Sequence, residues 1–136
     1  MKIELDTHFK SKKVTFIKKK IDEHNLEYVD EYNTKALNVF VNEKDVVIGG
    51  LIGLTYWNWL YIDRLWVDAE HRGKGIGTKI LETAEKEAQF RGCIGIYLNT
   101  HDFLNVEFYK RKGFKMRGEL KDFPKGHSRY LLAKIL

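Results

Sequence analysis

HRGKGIGTKIL, His71 to Leu81, places glycines at 73, 75 and 77 and then passes directly into an apolar repeat. Glycine takes positive φ freely and has no side chain to keep a visitor away from main-chain N–H groups. The first turn of a helix leaves its N–H groups without intrahelical partners and carries a positive partial charge. Upstream lies an apolar run ending Leu65-Trp66-Val67-Asp68; downstream, Ile76, Ile80, Ala84 and Ala88 recur every four residues with Leu81 beside them. Glu82 and Lys86 are spaced to pair on the outer face of that helix, and Gly92 is placed to end it. The segment reads as strand, glycine-rich loop and helix start, with Arg72 and Lys74 adding charge: an anion site made of backbone. The dinucleotide fingerprint G-x-G-x-x-G fails, because Thr78 stands where the third glycine belongs. The phosphate loop of nucleotide hydrolases fails as well, since Gly77-Thr78-Lys79 puts threonine before lysine. A diphosphate fits what remains.

The flanking sequence supplies the rest of a fold. Residues 2 to 9 alternate around Ile3 and Leu5 and suggest a short first strand. Ser11 can cap a helix to about Val29, with Phe16, Ile17 and Ile21 on its buried side. KALNVFVN and VVIGGLIGLTYW, separated by EKD, form a hairpin, and WLYIDRLWVD makes a third strand directly after Asn58. After the central helix, CIGIYLNT is a buried strand parallel to the one before the crossover. Asp102 is placed to cap a shorter helix ending at Gly113, and FKMRGEL and RYLLAKIL give two more strands around DFPKGHS. The expected architecture is an α/β (α+β) domain, 1-136, with a mixed, mostly antiparallel sheet flanked by helices.

The 136 residues suit one domain with one core, and a composition 43% hydrophobic and 13% aromatic is that of a globular chain. Net charge +5 favours an anionic partner, a phosphorylated small molecule as readily as a nucleic acid. KKVTFIKKK reads as a solvated helix face, so neither nucleic acid nor membrane is expected as a partner. A single cysteine, Cys93, excludes an internal disulfide and a cysteine-based zinc site, and its apolar setting makes it buried filler. No metal cluster is expected. Without an apolar leader or an 18-residue apolar run, the sequence reads as cytoplasmic.

Arg72, Gly75 and Gly77, in the pattern R-x-x-G-x-G after a strand ending LWVD, resemble the acetyl-CoA signature of the GNAT superfamily of acyl-CoA-dependent N-acyltransferases. EFYKRKGF, Glu107 to Phe114, resembles that family's aromatic-Tyr and Gly-Phe segment, and the element order matches its fold across the chain. DFPKGH, RYLL and the closing basic strand resemble a group of small bacterial members. The resemblance implies a single N-acetyltransferase domain in which Arg72, Gly73, Lys74, Gly75, Ile76, Gly77 and Thr78 hold the diphosphate of acetyl-CoA. The backbone of Leu65, Trp66 and Val67 would meet the pantetheine and thioester carbonyl, with the strand Ile94 to Leu98 splaying away to admit them. Many members carry asparagine seven residues before the tyrosine; that position is Asp102 here, and Asn105 or Asn99 are alternative pantetheine contacts.

Amide formation from a thioester needs a neutral amine, a polarised carbonyl and a proton for the departing thiolate. Tyr109 is the candidate general acid, its alternative being a packing ring beside Phe108; Asp102 and Asn105 are expected on its helical face. A lysine-like amine has a pKa of about 10.4 and must lose a proton. Asp63, expected in phase with Leu65 and Val67, is the acidic candidate for base, with pairing to Arg64 as the alternative; His101 and His127 could relay a proton near the acceptor, and His71 flanks the loop. Trp57, Trp59, Trp66, Tyr56 and Tyr61 are expected as core or subunit contacts, compatible with a homodimer. Three readings stand: direct acetyl transfer from acetyl-CoA to an amine in a ternary complex, a non-catalytic acyl-CoA-binding module, and a basic nucleic-acid binder. Acceptor choice would rest on Thr15 to Val29 and Asp122 to Ser128, where acidic residues such as Asp22 and Glu23 lean weakly toward a cationic small molecule.

Overall fold

The computed structural model describes residues 1–136 and divides into two compact units, Met1–Tyr32 and Asn33–Leu136. In the first, α1 spans Lys12–Asn25, and Ser11 caps it by accepting a hydrogen bond from the Val14 amide at 3.1 Å. The helix stops four residues short of Val29, where the Leu26 and Val29 amides return to Asp22 and Asn25. Phe16, Ile17 and Ile21 are each more than half exposed, against the expectation of a buried side. Four apolar residues, Val14 included, stand among five lysines in 14 positions, so the apolar stripe is narrow. The anticipated strand at 2–9 is also absent: Ile3 and Leu5 are exposed, and alternation without a partner edge makes no ladder.

The second unit is a six-stranded sheet with two helices. Its elements are β1 (Lys35–Glu43), β2 (Val46–Tyr56), β3 (Trp59–Val67), a 3-10 turn (Ala69–His71), α2 (Ile76–Phe90), β4 (Gly95–His101), α3 (Val106–Arg111), β5 (Lys115–Lys121) and β6 (Ser128–Ile135). The strand order is β1-β2-β3-β4-β6-β5, antiparallel throughout except for β3 beside β4, as a crossover through α2 requires. The two hairpins β1–β2 and β2–β3 turn on Lys44-Asp45 and Trp57-Asn58, all four residues at positive φ between 44° and 64°. That handedness matches the twist of paired strands.

The apolar repeat of α2 behaves as its spacing requires: Ile80, Leu81, Ala84 and Ala88 are buried against Leu51, Leu60, Leu98 and Leu132. Each fully buried leucine or isoleucine contributes roughly 1.5–3 kcal/mol. Glu82 and Lys86 make no ion pair; Glu85 instead holds Lys134 of β6 at 2.8 Å and Glu87 holds Arg91 at 3.0 Å. Cys93 is buried, and burial pushes its thiol up. On the sheet face away from α2, the Tyr56 and Tyr97 hydroxyls meet at 2.9 Å and the Tyr61 ring lies tilted against that of Tyr97 at 4.9 Å, whereas Trp57 and Trp66 stay exposed.

One irregularity positions everything that follows. The β2–β3 register runs Gly53 opposite Ile62 and then Ile52 opposite Arg64, so Asp63 is the extra residue of a β-bulge. The core-facing side of β3 consequently changes parity, from Leu60 and Ile62 to Leu65 and Val67. Asp63 is therefore not in phase with Leu65 and Val67 in the manner of simple alternation.

Candidate active site

Pairing between β3 and β4 runs from Trp59 with Gly95 to Ile62 with Leu98 and then ends at the bulge. The splay thus begins beyond Leu98 instead of over Ile94 to Leu98. Between Asp63–Val67 and Asn99–His101 lies a cleft of about 870 Å³, reached also by the start of α2, by α3 and by β6. The edge of β3 facing it has no strand partner past Ile62.

At one end stands the glycine loop. Gly73 and Gly75 take φ of +75° and +81°, and Gly75 caps α2 with no side-chain hydrogen bond. The first returning bond of the helix is the Lys79 amide to the Gly75 carbonyl at 3.1 Å, so the amides of Ile76, Gly77 and Thr78 have no acceptor in the protein. All three residues line the cleft. Arg72 donates from Nε to the Val67 carbonyl at 2.9 Å, tying the loop to the end of β3, and also lines the cleft; Lys74 does not. Three unpartnered amides at a helix start, flanked by an arginine, suit a diphosphate.

Beneath the loop, His71 sits between two carboxylates, with Nδ1 2.9 Å from Asp68 and Nε2 3.4 Å from Glu43. The hydrogen bond with Asp68 raises the imidazole above its ordinary value and lowers the carboxyl below its own. His71 is thereby a clamp between the end of β1 and the 3-10 turn.

Tyr109 enters from α3. Its ring packs edge-on against Phe108 and Phe114, and burial pushes the phenol up to about 12. The hydroxyl makes no hydrogen bond within the protein, and the residue lines the cleft. A phenol so placed stays protonated throughout the neutral range and has its donor free.

Asn105, not Asp102, caps α3: its Oδ1 accepts from the Phe108 amide at 3.2 Å. Asp102 precedes the helix by four residues and does not share a helical face with Tyr109. Its carboxylate accepts from the Ser128 amide at 2.8 Å, the main cause of its lowered pKa, and meets His127 Nδ1 at 2.8 Å. Neither Asp102 nor His127 lines the cleft; together they fasten the 122–128 loop to the end of β4. Asn99 and Asn105 do line it, as do Leu65, Trp66 and Val67.

Of the candidates for base, Asp63 lines the cleft with its carboxylate 3.3 Å from Arg64. His101 also lines it, with Nδ1 3.0 Å from the Phe123 carbonyl. A carbonyl only accepts, so Nδ1 carries the proton and the Nε2 lone pair is left free. His101 stacks on Phe103 at 5.1 Å with 7° between the rings. Phe103, Arg111 and Arg129 are cleft residues that the sequence did not single out. Arg129 acquires its place only through the strand register that sets it opposite His101.

The same architecture recurs in known proteins. The chain is 33% identical to an acetyltransferase of Bacillus cereus ATCC 14579 whose crystal structure superposes with a TM-score of 0.91, over 100% of this chain and 98% of that one. It is 41% identical over 95 residues, 69% of this chain and 70% of the relative, to blasticidin-S acetyltransferase of Streptomyces morookaense. An aminoglycoside 6'-N-acetyltransferase crystallised with coenzyme A shares the fold at 23% identity and a TM-score of 0.68, over 76% of this chain and 74% of that one. The model of the acetyltransferase (GNAT) family matches residues 4–114. With its glycine loop, parting strands and buried tyrosine in this order, the chain belongs to the GNAT acetyltransferase family, whose members transfer an acetyl group from an acyl-CoA donor.

Proposed function

We propose that this enzyme transfers the acetyl group of acetyl-CoA directly to a primary amine of a small molecule or peptide, both substrates being bound together. The observation that carries this is the meeting, in one cleft, of three unpartnered helix amides and a free phenolic donor. Bound acetyl-CoA supplies an activated acyl carbon and a thiolate leaving group. The amides of Ile76, Gly77 and Thr78, with Arg72, hold its diphosphate, while Gly73 and Gly75 shape the approach. The partnerless edge of Leu65 to Val67 offers main-chain groups to the pantetheine and the thioester oxygen, and Asn99 or Asn105 complete that contact. As the amine nitrogen bonds to the acyl carbon and the carbon–sulfur bond breaks, the Tyr109 hydroxyl protonates the sulfur. His101 Nε2 takes the proton lost by the nitrogen, directly or through water; Asp63, already paired with Arg64, is the weaker base.

The family match crosses the boundary between the two units, which supports a single transferase domain of 136 residues. No helix is long and apolar enough to cross a membrane. A cytoplasmic enzyme is the corresponding reading, supported by bacterial relatives and one buried thiol, and the exposed Phe40 and Trp66 favour a homodimer. The test is thiol release from acetyl-CoA with a panel of amines, together with mass spectrometry of the acceptor. Product formed in proportion to enzyme is expected; acetyl-CoA binding without any amide product would leave a binding module instead.

A further inference from the structure

The end of the cleft remote from the glycine loop carries a cation that nothing in the protein neutralises. Alternation along the β4–β6 pair turns Leu98, Thr100, Tyr130 and Leu132 toward α2, and His101 with Arg129, directly opposite each other, toward the other face. Arg129 is half-buried, and its guanidinium lies over the Phe123 ring at 4.9 Å. The Phe123 carbonyl holds His101 at 3.0 Å, so one residue orients both side chains. Arg129 makes no hydrogen bond or ion pair in the protein. The nearby carboxylates are engaged elsewhere: Asp102 with Ser128 and His127, Glu119 with Ser128 Oγ, and Asp63 with Arg64.

A partly desolvated guanidinium with its fork unused is matched by a carboxylate, which it can grip through two parallel N–H donors. A polycation in the same place would meet uncompensated repulsion. On the reading of the cleft as an acetyltransferase site, we infer that the acceptor amine also bears a carboxylate, which Arg129 engages while the amine reaches His101. This reverses the lean toward a cationic acceptor drawn from the acidic residues near Asp22. The acceptor class becomes an amino acid or an amine carrying an acidic arm.

Matched acceptors that differ only in the carboxylate decide it: lysine against cadaverine, β-alanine against propylamine, with spermidine as the polycation. The full chain should use the carboxylate-bearing member at least tenfold better in kcat/KM. Arg129→Gln should bring the ratio near one, chiefly through KM, while coenzyme A binds as before; Arg129→Lys should restore part of the preference. Calorimetry of N-acetyl-β-alanine against N-propylacetamide gives the same comparison without turnover, and circular dichroism checks the fold of each variant. Equal use of each pair, a preference for spermidine, or a carboxylate preference untouched in Arg129→Gln would overturn the inference while leaving the transferase reading intact. Failure of acetyl-CoA to bind would overturn that reading, and N-acetyl-β-alanine binding would still decide the role of Arg129.

Discussion

The two ends of the cleft are built from different materials. At the glycine loop, the groups that face the cavity are chiefly main-chain amides of Ile76, Gly77 and Thr78, with Gly73, Gly75 and Gly77 leaving the approach open and Arg72 beside them. At the far end, beside the 122–128 loop, the facing groups are side chains: His101, Phe103 and Arg129. Backbone recognition depends on chain path and tolerates changes of residue type that keep the path. Side-chain recognition changes with a single substitution. The donor end is therefore suited to a ligand common to a whole family, and the acceptor end to one that differs among its members.

The sharpest way to break this contrast is to put a side chain where the backbone works. Gly77→Val should weaken coenzyme A binding by about a hundredfold or more, since the branched group would fill the space between the helix start and Phe108, both of which line the cleft. A Cβ there meets Phe108 at 3.5 Å, in ordinary contact, so Gly77→Ala is the control that keeps the fold while the γ-methyls of valine supply the obstruction. Calorimetry and a melting curve measure both; tight binding by the variant would show that the loop is not the donor end.

Next in size is Tyr109→Phe. Loss of a general acid costs on the order of 10²–10⁴-fold, so turnover should fall that far while the affinity for acetyl-CoA stays within about twofold, as expected of a donor that acts only as the sulfur leaves. Since the phenol is pushed up to about 12, no loss of activity between neutrality and pH 10 should trace to its ionisation. A parallel loss of binding would instead make Tyr109 a packing residue of the donor end.

The smallest effect concerns the clamp under the loop. His71 has its imidazole raised above 6.5, so its contribution is complete below that pH and is lost as pH rises through the raised value. Asp68, lowered below 3.8, contributes fully above that pH and loses its contribution as pH falls through the lowered value. The pair is at full strength from 3.8 to 6.5. Melting temperatures should therefore decline as pH climbs above 6.5 in the parent and change less in His71→Gln. Identical pH dependence in both would mean that the clamp does not support the loop.

Much of this arrangement is legible in the sequence. The spacing of Ile80, Ala84 and Ala88 fixes the face of α2, and the glycines mark where it begins. The first hairpin is readable because two β-rich runs are separated by the short polar stretch Glu43-Lys44-Asp45, and the third strand because it starts directly after Asn58. What escaped reading depended on partners. Ile3 and Leu5 alternate with no edge to pair against, and Asp102 and Asn105 are equally good caps by residue type, with the choice made by the Ser128 amide that claims Asp102. The bulge did leave a trace, a change from Leu60 and Ile62 on even positions to Leu65 and Val67 on odd ones. Arg129 left none, because its meaning comes from a neighbour 28 residues earlier across the sheet.

Asp63 is a single surplus residue, yet without it β3 would keep one parity to its end and could continue its ladder with β4 past Ile62. The opening through the sheet is thus the product of one codon's worth of chain. Deleting Asp63 should therefore let that ladder run on and close the cleft, which loss of coenzyme A binding by a variant that still melts cooperatively would show.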